Sequence, residues 1–252
     1  MIRATAALAC SLFICASAAA MVGGAAPAGE AGRPVVLFLG SRGNSCTGVA
    51  LARDLVLTAA HCVSPGADYK LVAFDPPRPP ELKDIATIAR HPEFDVNAVL
   101  RHRVTADVAL LKLVAPLASV EPATLGPVLT VAPGDAFIAA GTGVSVRGDG
   151  KSGGTARAAT LVATGQPGTL QVRLVDPATK GERAGLGACT GDSGAPVFRE
   201  AAGNLAVIGV VSWSTGPNNS AGCGGLTGVT PLGRYRDWIR ETAAKLGSPL
   251  AP

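Results

Sequence analysis

Residues 189–196 read Cys-Thr-Gly-Asp-Ser-Gly-Ala-Pro, and the meaning of this stretch decides the fold as well as the chemistry. Ser193 stands between two glycines with Asp192 before it, which suits a nucleophile on a tight, exposed turn. Glycine has no Cβ, so backbone N–H groups can crowd round a reacting carbonyl. The same residue types also dominate ordinary surface turns. The stretch alone therefore does not separate catalysis from a plain turn. The rest of the chain must supply a base and an orienting acid.

The chain has 252 residues, enough for one large all-β domain or two small ones. Its 32 glycines and 19 prolines suit short strands joined by many turns. Apolar residues make up 48 % of it, so a sizeable core is available. The net charge of +4 comes without basic runs and gives no case for nucleic acid.

The N-terminus reads as a secretory signal over residues 1–20. Arg3 is the basic end, residues 6–16 are apolar, and Ala18-Ala19-Ala20 is a small-residue cleavage site. The apolar run is too short to span a bilayer. A buried N-terminal helix is the bland alternative. A lipid anchor is disfavoured, because Cys15 follows bulky Ile14 and Cys10 has too short an apolar stretch before it. Both cysteines would leave with the signal. Cys46, Cys62, Cys189 and Cys223 remain, and an oxidising compartment would pair them. Four cysteines allow three pairings, and the residues alone do not choose. Zinc is disfavoured because there is no Cys-x-x-Cys pair.

Beyond the leader the pattern is strand, turn, strand. Expected strands are Val35–Leu39, Thr47–Ala52, Leu55–Leu57, Leu71–Phe74, Val108–Leu113, Ala136–Ala140, Ala158–Thr164, Leu170–Val175 and Leu205–Trp213. Asp75–Pro80 and Arg147–Gly154 read as loops. One helix is expected, Arg234 to Leu246, with Tyr235, Trp238, Ile239, Ala243 and Leu246 on one face and Gly247 and Pro249 as its stop. Many short strands before one C-terminal helix point to an antiparallel barrel fold, one barrel or two.

There are three histidines. His91 precedes a proline in a loop-like stretch. His102 sits between arginines, which disfavour a protonated ring. His61, in Leu-Thr-Ala-Ala-His-Cys-Val, has small apolar neighbours and a cysteine beside it, so it is the best candidate base. Asp107 heads the apolar run Val108–Leu113. A carboxylate there is costly to bury unless it is hydrogen-bonded, and a histidine N–H would satisfy it. Asp54, Asp68 and Asp95 read as solvated loop acids. Each of these residues also has a bland reading, as core ring or turn acid.

The order His61, Asp107, Ser193 argues against an α/β-hydrolase, in which the serine comes first. Thr58-Ala-Ala-His-Cys62, Asp107-Val-Ala-Leu-Leu-Lys112 and Gly191-Asp-Ser-Gly-Ala-Pro196 resemble the three signature segments of the trypsin/chymotrypsin-type serine proteases (S1 family, PA clan). The resemblance runs from Met21 to the C-terminal helix. It implies two packed six-stranded antiparallel β-barrels with a C-terminal α-helix, the seam falling near 115–135, and a catalytic domain over 21–252.

Carried over residue by residue, the resemblance implies that Ser193 is the nucleophile, His61 the base and Asp107 the orienting acid. The Gly191 and Ser193 N–H groups would form the oxyanion hole. It implies disulfides Cys46–Cys62 and Cys189–Cys223, no cofactor and no metal. Lys70 and the prolines of 76–80 replace the acidic pattern of the calcium loop some relatives carry. Gly187 falls at the floor of the primary pocket, where tryptic members have aspartate, and Ser212-Trp213-Ser214 forms a wall. Ser214 replaces the usual glycine and would narrow the mouth. A buried substrate lysine or arginine would lack a counter-charge, so small or medium apolar side chains are expected. The third wall is open among Gly225, Thr227 and Gly228.

Relatives of this kind are activated when a new N-terminus inserts beside the aspartate preceding the nucleophile, here Asp192. The matching segment is Met21-Val22-Gly23-Gly24, immediately after Ala20. Signal removal itself would then create the activating terminus. The expected function is a secreted or periplasmic serine endopeptidase. It would work as a monomer on protein or peptide substrates, be open to protein inhibitors, and be free of membrane after signal removal. The competing reading is a catalytically silent, protease-like binding protein.

Overall fold

The computed structural model describes residues 21–74, 79–101, 103–165, 168–201 and 203–251. The expected leader 1–20, residues 75–78 of the expected loop Asp75–Pro80, and His102 lie outside the described residues.

The strands in chain order are β1 (Ala26–Pro27), β2 (Val35–Gly40), β3 (Ser45–Ala52), β4 (Leu55–Thr58), β5 (Tyr69–Ala73), β6 (Glu81–Arg90) and β7 (Ala109–Leu113). There follow β8 (Thr124–Leu125), β9 (Ala136–Gly141), β10 (Arg157–Ala163), β11 (Val172–Val175), β12 (Pro196–Ala201), β13 (Asn204–Ser214) and β14 (Thr227–Pro231). Strands β2-β3-β4-β7-β6-β5 close into one antiparallel barrel. Strands β9-β10-β11-β14-β13-β12 close into a second, because β9 pairs both β10 and β12. The two-residue strands are accessories: β1 lies along β10, and β8 pairs β13 in parallel.

The continuous apolar runs of the sequence arise because several strands are buried on both faces. In β3, Val49 and Leu51 face the core shared by the two barrels, while Cys46 and Ala50 face the interior of the first. In β4, Leu55 and Leu57 point one way and Val56 the other. In β7, Leu110 joins the shared core, and Ala109, Leu111 and Leu113 the barrel interior. This alternation at period two makes one strand serve two cores. The second barrel has its own interior, which includes Phe137, Leu161, Leu174 and, from the start of the described chain, Met21.

The C-terminal helix is α2 (Arg236–Lys245), entered through a short 3-10 turn at Gly233–Tyr235. Tyr235, Ile239 and Ala243 bury its inner face in the shared core. The structure also contains α1 (Val96–Leu100), which the strand-and-turn reading missed; the Asp95 carboxylate caps it by accepting from the Asn97 N–H. Strand β6 was missed as well. It is largely exposed, and a register shift between Ile85 and Thr87 breaks its alternation. Strands β12 and β14 also went unseen: β12 opens on Pro196 and carries the charged pair Arg199 and Glu200, and the five-residue β14 includes Gly228 and Pro231.

Two residues read as solvated or loop-like are engaged. His91 packs its ring 5.0 Å from that of Tyr235 and 4.9 Å from that of Trp238, and its backbone N–H donates to Val108 O. It thereby anchors the chain beside Asp107 to the C-terminal helix. Asp54 accepts from Lys112 Nζ at 2.5 Å and Ser248 Oγ at 2.7 Å, tying the C-terminal segment to the first barrel.

Candidate active site

Strand pairing brings His61 and Asp107 together before any side chain is considered. Thr58, the last residue of β4, lies opposite Ala109, the first of β7. His61 follows on a 3-10 turn, Ala60–Cys62, and Asp107 comes two residues before Ala109. The Cys46–Cys62 disulfide ties that turn to β3. The His61 backbone N–H donates to Asp107 Oδ1 at 2.9 Å, and His61 Nδ1 donates to Oδ2 at 2.7 Å. A carboxylate only accepts, so the Nδ1 proton is committed and Nε2 is left as the basic nitrogen.

Asp107 is fully buried. A third donor, Ser212 Oγ, reaches its Oδ2 at 2.5 Å. Ser212 sits where β13 slips its register against β14, between Val211 and Trp213. Such an irregularity re-aims a side chain. Burial pushes the Asp107 pKa up, but the facing His61 charge and the hydrogen bonds from His61 and Ser212 outweigh it and hold the carboxyl below its ordinary value. The sequence reading placed Ser212 as a pocket wall; its hydroxyl contact with Asp107 had no signal in the residues.

The loop before β12 carries Ser193. The Cys189–Cys223 disulfide braces its start. Thr47 N–H donates to Ser193 O, Gly194 N–H to Val211 O, and Ala195 N–H to Asp192 O. Gly194 has φ +79°, and a Cβ there would lie 2.0 Å from Thr58 Oγ1. Only glycine fits, and the Ser193 turn is pressed onto the end of β4. Among the described residues the N–H groups of Gly191 and Ser193 donate to no other group. Cys62 Sγ lies 3.9 Å from His61 Nε2 and 3.6 Å from Ser193 O. The loop is thus brought up to the His61 turn, while a Ser193 Oγ–His61 Nε2 hydrogen bond is not formed in this structure. Such bonds are commonly long in free enzymes.

The remaining expected site residues fall into two groups. Gly187 is buried, and a Cβ on it would meet Gly224 Cα and Thr227 Oγ1, each at 3.3 Å. Thr227 lies opposite Ser214 across β13–β14, and its hydroxyl accepts from Ala188 N–H at 3.0 Å. Ser214 Oγ donates to Gly222 O at 3.3 Å. Trp213 lies over Gly228, where a Cβ would fall 2.1 Å from the indole, and Gly225 backs onto Gly216 O. Of the three candidates for the third wall, Thr227 is therefore the one facing Gly187. Among the described residues, Cys46, His61 and Cys62 form a group with metal-ligand spacing, but both sulfurs are consumed in the disulfide.

In the second group, Asp192 is fully buried, accepting from Gly143 N–H at 2.8 Å and Cys189 N–H at 2.9 Å. Burial raises its pKa to about 7 against the pull of those two amides. Met21 is also fully buried, in the same barrel core as Ala188 and Ala195. The Val22 N–H donates to Gly187 O at 3.1 Å, and Gly23 is pressed on the Gly185 backbone.

A protein-family model described as trypsin matches residues 21–239. The chain belongs to the trypsin family. The vitellin-degrading protease of Bombyx mori is 30% identical over 227 residues, covering 84% of this chain and 80% of that protein. Transmembrane protease serine 9 of Rattus norvegicus is 28% identical over 210 residues, 77% of this chain but only 19% of that longer protein. The two closed barrels and C-terminal helix are the fold this membership implies.

The electrostatics of Asp192 give a pH prediction for the chain in which Met21 is still covalently extended. Its folded pKa, about 7, lies above its ordinary 3.8. Stability tied to this group is fully present below pH 3.8 and is lost as pH rises towards 7. Asp192→Asn does not titrate. Between pH 4 and 7.5 the parent is expected to lose about 4 kcal/mol relative to that variant, at ~1.4 kcal/mol per unit. Parallel denaturant-unfolding curves for the two proteins across this range check it.

Proposed function

We propose that this trypsin-family domain is a serine endopeptidase with a small, non-tryptic primary pocket. The observation that carries this reading is the doubly bonded His61–Asp107 pair, set beside a serine whose flanking amides are unengaged. Ser193 Oγ attacks the scissile carbonyl and passes its proton to His61 Nε2. Asp107 keeps the Nδ1 proton in place and stabilises the imidazolium. The Gly191 and Ser193 N–H groups receive the developing oxyanion; one such donor is typically worth ~3–4 kcal/mol. His61 then protonates the leaving amine, and water hydrolyses the acyl-enzyme by the same route in reverse. The Ser212–Ser214 backbone offers strand-like pairing to an extended peptide.

Gly187 brings no counter-charge to the pocket, and Thr227 leaves little depth above it. Small side chains at the cleaved position are the substrates this shape supports. The two disulfides suit an oxidising compartment, and no described helix is long and apolar enough to cross a membrane. The reading is of a chain exported by its leader 1–20, mature over 21–252, monomeric, acting on proteins or peptides outside the cytosol or in a periplasm, and open to protein inhibitors. Release of Met21 as an α-ammonium supplies a cation for Asp192, which has none among the described ion pairs. A buried carboxylate is costly without one.

Three outcomes follow. The parent is expected to cleave peptides with alanine or similar side chains at the primary position, and Ser193→Ala to lower kcat by about 10⁴ or more; an intact parent without turnover would favour the silent binding protein. Thr227→Gly is expected to raise kcat/KM for leucine or phenylalanine relative to alanine by about tenfold or more; a parent selective for arginine would contradict the pocket. N-terminal sequencing of exported protein is expected to read Met-Val-Gly-Gly, and a start at Ala26 or Ala28 would sink the activation scheme.

A further inference from the structure

Thr47 grips the Ser193 loop with two different atoms. Its backbone N–H donates to Ser193 O at 2.9 Å, and its hydroxyl lies 2.8 Å from Gly191 O. The second bond is the informative one. The peptide unit joining Gly191 to Asp192 is the only unit between the two N–H groups that flank the serine. Its tilt sets ψ of Gly191 and φ of Asp192, and so fixes how the two donors are aimed relative to each other. The N–H of that unit donates to Cys189 O at 3.0 Å, and its carbonyl is held by Thr47. Gly191, at φ +91°, has no Cβ to restrict it. The restraint has to come from hydrogen bonds.

The Thr47 hydroxyl is itself locked. A carbonyl cannot donate, so the one proton of Thr47 Oγ1 goes to Gly191 O. Thr47 Oγ1 also accepts from Thr142 N–H at 3.1 Å and sits 2.9 Å from Thr142 Oγ1, whose proton therefore points at it. The Thr47 carbonyl accepts from Thr58 Oγ1 at 2.8 Å. Thr47 and Thr58 are fully buried, and Thr142 nearly so. The hydroxyl, carried on β3 of the first barrel, thus makes three contacts in a buried seam: two with Thr142, just past the end of β9 in the second barrel, and one with the Ser193 loop. The sequence reading gave Thr47 no role beyond opening a strand.

We propose that Thr47 is a positioning residue for the two flanking amides, its hydroxyl holding the Gly191–Asp192 peptide so that both donors converge on one oxygen. The proposal rests on the reading of Gly191 and Ser193 as the oxyanion donors. Loss of the hydroxyl leaves a buried carbonyl without its partner and a glycine free to turn. Substrate binding elsewhere in the cleft is untouched. The loss falls on the transition state, in which the oxyanion exists, and so on kcat and not KM.

The test is steady-state peptide hydrolysis by the mature enzyme, normalised to titrated active sites, for Thr47→Val, Thr47→Ser and Thr142→Val. Thr47→Val keeps the shape and removes the hydroxyl. It is expected to lower kcat at least tenfold with KM within about twofold, and to weaken a peptide aldehyde, which forms a hemiacetal oxyanion, by a similar factor. Thr47→Ser restores the hydroxyl and is expected within about threefold of the parent, as is Thr142→Val, which leaves the Gly191 bond in place. Should Thr47→Val yield no folded protein, Thr47→Cys, with its weak S–H donor, takes its place with the same expectation. An active parent with kcat unchanged in Thr47→Val overturns the assignment. So do equal losses in the valine and serine variants, which would make Thr47 a packing residue. A parent that hydrolyses no peptide at all overturns the protease reading first, and this proposal with it.

Discussion

A carboxylate with no exposure has to be met by donors, and Asp107 is met by three from two barrels. His61 supplies two, from the turn that follows β4 of the first barrel. Ser212 supplies the third, from the slipped register of β13 in the second. Removing one partner of a buried charge typically costs ~3–5 kcal/mol. Asp107 is satisfied only when both barrels are closed and docked. The shared core between them, with Val49, Leu57, Leu110, Val210 and Ile239, holds that docking. Packing and site geometry are one constraint here, since the seam that buries the apolar side chains also delivers Ser212 to Asp107.

Asp192 shows what happens when the same residue type is buried with less. Two backbone N–H groups donate to it, and burial still wins, raising its pKa to about 7. Two aspartates in one site thus sit on opposite sides of their ordinary value for opposite reasons. Asp107 faces a ring able to carry positive charge; Asp192 faces backbone dipoles alone. That difference makes Asp107 a fixed anion in the proposed chemistry. It leaves Asp192 a buried acid held only by two backbone amides, and its charged form correspondingly disfavoured.

Much of this was legible in the residues. Val49, Leu57 and Leu110 lie in apolar runs whose lengths suit strands, and the helix face Tyr235, Ile239, Ala243 reads directly from its spacing. His61, Asp107 and Ser193 stood out because a histidine beside a cysteine, an acid heading an apolar run and a serine between glycines each need a partner. What was not legible depends on register. Ser212 reaches Asp107 through a slip between β13 and β14, and Thr227 faces Gly187 because of the pairing that follows; neither offset is written locally. Strand β6 was hidden because its residues face solvent. His91 looked like a loop residue because the aromatic rings it meets, Tyr235 and Trp238, come more than a hundred positions later. Thr47 looked like an ordinary strand residue, since the loop it grips lies in the other barrel.

The central claim is that Asp107, His61 and Ser193 act as one unit that makes this serine nucleophilic. A fluorophosphonate probe reacts covalently with such a serine and leaves ordinary hydroxyls alone. Mass-spectrometric mapping of the labelled mature protein is expected to find one adduct, on Ser193, and to find it suppressed by at least a hundredfold in rate when His61 is replaced by alanine. A folded parent that takes no label at Ser193, or a label rate indifferent to His61, would contradict the account.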